Sequence, residues 1–176
     1  MGLDIDNIFP VAKDAQDEFF ISEAEEALQP RIVIKSADES VTTSTTLQDD
    51  DELFMSVSAG RTYEFELLLN FDTDSNADPG IKLTFVAPTG STGFFYVKDF
   101  DVLFTNLSTH ILLQSIALGD TLSGDQLDVV DSAILIKGTV KTGNDAGNLQ
   151  LQWCQDSSDG DATIVKENSS LKVTRQ

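Results

Sequence analysis

Apolar and polar residues alternate along most of the chain, with a period of two. ELFMSVS at 52–58, YEFELLL at 63–69 and IKLTFVA at 81–87 each place large side chains on one side of an extended backbone. Further short runs follow at Ile32–Lys35, Phe94–Lys98, Asp101–Thr105, Ile111–Ile116, Ile134–Lys141, Leu149–Gln155, Ala162–Val165 and Leu171–Thr174. Gly, Asn, Asp and Ser clusters separate them. This predicts about ten short strands in an all-β domain, a β-sandwich or jelly roll, over residues 31–176. Two hairpins are expected. One turns at Ala59-Gly60, and the other joins ILIKGTVK to LQLQWCQ through TGNDAGN. In the second, Leu149, Leu151 and Trp153 share a face, and Trp153 is the expected core anchor. Gln150, Gln152 and Cys154 fall on the opposite face.

The pattern breaks at Pro30. Residues 1–30 form an arm with eight acids (Asp4, Asp6, Asp14, Asp17, Glu18, Glu23, Glu25, Glu26) and one base, Lys13. Ser22 and Glu25 have capping-box spacing, which predicts a short helix over 23–29 after an extended lead. A helix starting from Pro10 is the other reading, and Pro30 ends either one. The apolar positions Ile5, Ile8, Phe9, Phe19 and Phe20 are candidate partner-binding anchors. They would add affinity as the arm orders on a partner.

Charge narrows the function classes. Eleven Lys+Arg against 30 Asp+Glu leave a net charge of −19. Such a surface repels phosphate backbones and anionic lipid heads, so neither nucleic acid nor membrane is expected as a partner. No apolar run has the length of a bilayer span, and acids stand where a secretory leader carries bases. The 176 residues are 40% hydrophobic, with 11 Phe, enough for a sizeable core. Cys154 is the only cysteine, so no intrachain disulfide forms.

Catalytic chemistry finds no foothold. Nucleophilic catalysis needs a base beside the nucleophile, and the only histidine, His110, enters a hydrophobic strand with no acid at triad spacing. One Cys and one His cannot assemble a zinc or iron site, and phosphate-binding glycine motifs are absent. The acid run Asp49–Glu52 reads as a solvated loop leading into a strand. Asp72-x-Asp74-x-Asn76-x-Asp78 has alternating oxygen ligands, but Ala77 and Leu83 replace the glycine and glutamate of a calcium loop. That loop, and Asp156, Asp159 and Asp161 around Gly160, read as turns. No catalytic, cofactor or metal residues are expected.

Two stretches, KSADESVTTSTTLQDDDELFMSVSAGRTYEFELLLNF at 35–71 and ILIKGTVKTGNDAGNLQLQWCQDSSDGDATIVKENSSLKVTR at 134–175, resemble a β-sandwich module of virion proteins in tailed bacteriophages. The resemblance implies a structural role in the particle and carries no catalytic residues. Its leading implication is a capsid decoration (cement) protein made in the host cytoplasm. Such a protein would be added to the virion as a homo-oligomer, a trimer, on the major capsid protein. The alternative is a tail or head-fibre component that binds a host receptor or glycan through loops 88–93 and 156–161.

Overall fold

The computed structural model describes residues 29–73, 79–101 (side chains at 98–101 excepted), 115–123 and 132–176. The candidate anchors Ile5, Ile8, Phe9, Phe19 and Phe20, the helix expected over 23–29, the strand expected at Asp101–Thr105, most of that at Ile111–Ile116, His110 and most of the 72–78 loop lie outside these residues.

Eleven strands run in the described residues. They are β1 (Arg31–Ile34), β2 (Glu39–Val41), β3 (Gln48–Val57), β4 (Thr62–Thr73), β5 (Ile81–Val86) and β6 (Thr92–Asp101), then β7 (Ile116–Ala117), β8 (Ser132–Lys141), β9 (Gly147–Gln155), β10 (Thr163–Val165) and β11 (Ser170–Arg175). The larger sheet has the order β1-β11-β4-β8-β6-β7, with β10 attached to β4 and β2 to β10, and the smaller has β3-β9-β5. Every pairing is antiparallel. The domain is therefore the two-sheet sandwich that the alternation implies.

Both expected hairpins are corrected. β3 and β4 lie in different sheets, as do β8 and β9, so the turns at 58–61 and 142–146 are arches between sheets. The connection from β5 to β6 also crosses. Alternation shows which face of a strand is buried but not which strand lies beside it. The first two arches hold each other. Gly60 N–H donates to the Gly143 carbonyl at 2.7 Å and Thr142 N–H to Arg61 at 2.8 Å. The Thr142 hydroxyl donates to the Ser58 carbonyl at 2.7 Å. Gly60, at φ 65°, makes the bend that a side chain would strain.

The core fills by alternation. On β4, Tyr63, Phe65, Leu67, Leu69 and Phe71 point inward, and on β8 Ile134, Ile136 and Val140 do so. Trp153 is fully buried, as expected. An aromatic chain joins the sheets: Phe65 on β4 lies 4.6 Å from Phe85 on β5, which meets Phe95 on β6 edge-on at 5.3 Å. Such pairs add about 0.5–1.5 kcal/mol each beyond their burial. Gly138 sits between Phe65 and Phe95 in cross-strand register, and a β-carbon there would run into the Phe65 ring. Its lack of a side chain is what admits that ring.

Candidate binding face

Two lysine–carboxylate clusters stand out among the described residues. The first is internal. The acid run expected as a solvated loop lies within β3, and Asp50 is 1% exposed. Lys35 Nζ donates to Asp50 Oδ1 and Oδ2 at 3.0 and 3.1 Å and to Glu39 Oε2 at 2.7 Å. Asp50 also accepts the Trp153 indole N–H at 3.1 Å and the backbone N–H groups of Glu52 and Leu53 at 3.0 and 2.8 Å. Its carboxylate thus satisfies donors at the strand irregularity where the β3–β9 register shifts between Asp49 and Phe54. Burial pulls the Lys35 ammonium towards neutrality, but hydrogen bonds to Glu39 and Asp50 outweigh this and raise its pKa. The cluster links the end of β1 with β2, β3 and β9, and its buried charges are taken up by one another and by neighbouring N–H groups. Its chemistry is structural.

The second cluster is on the outer face of the larger sheet. Register sets Lys172 of β11 beside Glu66 of β4, Lys137 of β8 and Tyr96 of β6 in one row. The next row carries Thr174, Glu64, Thr139 and Phe94. Lys137 pairs with Glu66, both side chains 34% exposed, and that hydrogen bond raises the Lys137 pKa. Phe94 and Tyr96 lie on the same side of β6 with rings stacked 6.5 Å apart. Together these residues line a shallow depression of about 280 Å³. At the sheet edge Ile32 and Ile34 of β1 are each 58% exposed, and Leu68 is also open. The face therefore has apolar flanks and a charged seam. Its lysines Lys137, Lys141 and Lys172 are matched in number by the acids Glu64, Glu66 and Asp72, so the face is close to charge-balanced in a chain of net charge −19. Sequence reasoning missed this face. Its signal was the pair of β-branched residues at 32 and 34 and the aromatics at 94 and 96, each with period-two spacing on the polar side of a strand.

The structure does not bring the two candidate receptor loops together. Loop 88–93 lies with the arches at one end, where Gly90 approaches Gly143. Loop 156–161 lies at the other, where Ser157 N–H reaches the Pro79 carbonyl at 2.8 Å and the Asp159 carbonyl accepts Thr43 N–H at 2.7 Å. Within that second loop Asp159 Oδ1 accepts the Asp161 backbone N–H at 2.8 Å, as an aspartate-stabilised turn does. No three His, Cys, Asp or Glu side chains gather into a metal-binding group among the described residues. Asp72 pairs with Lys166 at 3.3 Å. Cys154 is fully buried, its Sγ donating to the Thr45 carbonyl at 3.2 Å. Burial raises its pKa, which keeps the thiol protonated and unreactive.

No family model matches the chain, and no curated protein matches it. Solved structures of infectious bursal disease virus align with 84% of it. The Gt strain aligns at 13% identity and TM-score 0.21, the Gx strain at 14% and 0.20, and the VP2 subviral particle at 12% and 0.21. The chain spans about two-fifths of the length of these structures, 41%, 40% and 42% respectively. At such scores the alignment carries no argument about what this chain does.

Proposed function

We propose that this chain is a non-enzymatic structural protein of a virus particle, a decoration protein that binds the outside of a tailed-phage capsid and reinforces it. The observation that carries the reading is the resemblance of 35–71 and 134–175 to phage virion modules. Those stretches supply β2–β4 and β8–β11, which include the central strands β4 and β8 of the larger sheet and β9 of the smaller. A sandwich held by a large apolar core, with no disulfide, suits a protein that folds in the host cytoplasm and is added to a finished shell. The charge of −19 keeps free copies apart and speeds association with a basic patch on the major capsid protein. Ile5, Ile8, Phe9, Phe19 and Phe20 are the proposed anchors, and a trimer at a three-fold position is the proposed assembly.

Co-sedimentation with purified heads tests the reading. The full chain is expected to pellet with heads to saturation, and a variant lacking residues 1–30 to keep its β-type circular dichroism but stay in solution. Failure of the full chain to bind heads would count against decoration, while equal binding by the shortened chain would remove the arm as the anchor.

A further inference from the structure

We propose that in the free protein residues 1–28 dock across the outer face of the larger sheet, with their two apolar clusters over its two apolar flanks and their central acids over its lysine seam. The pattern of the segment matches that of the face. Ile5, Ile8 and Phe9 form one cluster and Phe19, Phe20 and Ile21 the other, with Asp14, Asp17 and Glu18 between them. The face presents Ile32 and Ile34 at one flank, Phe94 and Tyr96 at the other, and the row Lys172, Glu66 and Lys137 between them, Lys137 being paired with Glu66.

The geometry fits as well. The described chain begins at Gln29, next to β1, so the segment starts at the Ile32–Ile34 flank. From β1 to β6 is four strand spacings in the order β1-β11-β4-β8-β6, roughly 19 Å. The ten residues from Phe9 to Phe19 cover about 15 Å as helix and about 33 Å extended, which brackets that distance. Phe19–Ile21 then falls on the near flank and Ile5–Phe9 on the far one.

Charge favours this occupant over a second copy. The segment carries eight acids and one base, and the face it would cover is close to charge-balanced, with Lys172 and Lys137 flanking Glu66 at its centre, in a chain that is otherwise strongly acidic. Lys172 makes no ion pair among the described residues. Two free copies would meet at −19 against −19, which disfavours their pairing before a basic shell surface gathers them into the proposed trimer. Docking also covers exposed Ile and Phe side chains that would otherwise promote association between free copies. The inference concerns the protein before it meets any partner. If the same anchors later hold a shell, shell binding must displace them from the sheet, which lowers the apparent affinity by the undocked fraction.

Zero-length cross-linking of the full chain with a water-soluble carbodiimide tests this, read by peptide mass spectrometry of the monomer fraction. The expected result is amide links from Lys172 or Lys137 to Asp14, Asp17 or Glu18, in unchanged yield on dilution. The Lys137–Glu66 link is the internal control. In full-length F19S/F20S the arm links are expected to fall about tenfold or more, because each anchor's burial exceeds the energy of a tenfold change. Formation of the control link without arm links would overturn the proposal. Arm links confined to covalent dimers would also overturn it and give the face to a second copy. The readout needs no capsid, so it stands apart from failure of the decoration reading.

Discussion

The two lysine–carboxylate pairs use the same chemistry in opposite surroundings. Lys35 and Asp50 have side chains 1% and 0% exposed, while Lys137 and Glu66 are both 34% exposed. Inside, Asp50 is the shared acceptor for an ammonium, an indole and two backbone N–H groups, and all but the part-buried Glu52 N–H are buried away from water. Outside, either partner of the Lys137–Glu66 pair can exchange its bond for water or for a third charge. Position thus makes one pair a fixture of the fold and leaves the other available for binding.

The largest effect should come from breaking the inner pair. D50A is expected to cost about 3–5 kcal/mol in urea denaturation, because the buried Lys35 ammonium keeps only Glu39 as a partner while the Trp153 indole and the Glu52 and Leu53 N–H groups lose their acceptor. Apolar replacement of both partners, K35M/D50L, should not restore stability, since Trp153 and the Glu52 and Leu53 N–H groups stay unpaired. Full recovery in that double variant would show the pair to be dispensable. Next comes G138A, at about 1–3 kcal/mol, through overpacking against Phe65. An unchanged midpoint would mean the ring has space to move.

Alkaline pH separates the pairs further. Lys35 has a folded pKa above its unfolded value of about 10.4. Its contribution is therefore complete below that pH and is lost as pH rises through the folded value. Stability measured from pH 9 to 12 should fall more steeply in the wild type than in K35M, and matching slopes would contradict the assignment. Lys137 has the same sign of shift but is exposed and screened. The smallest effect is accordingly K137Q, which should leave the unfolding midpoint unchanged and remove only the cross-links made through that lysine.

The contrast also explains what the sequence made legible. Strands β4, β5 and β8 could be read with their buried faces, because large apolar residues recur at alternate positions in each, interrupted on β8 only by Gly138. Trp153 stood out for the same reason. Asp50 did not, for a local cause. Counting back by twos from Val57, Met55 and Leu53 turns Asp51 inward, but the irregularity in β3 shifts the phase, and Asp50 is the buried acid. Its neighbours Asp49 and Asp51 are exposed, so the run looked solvated throughout. The arches at 58–61 and 142–146 read as hairpins because turn residues bend the chain equally well within a sheet or between sheets. The outer face escaped notice because its residues come from five strands far apart in sequence, and only the register of β1, β11, β4, β8 and β6 puts them in rows.

The role proposed for this chain is to coat the outside of a viral head. Antibody-gold labelling of intact particles, counted separately on heads and tails, tests it most directly. Dense labelling over the head surface is the predicted result. Labelling confined to the tail, or absence of the protein from purified particles, would contradict it.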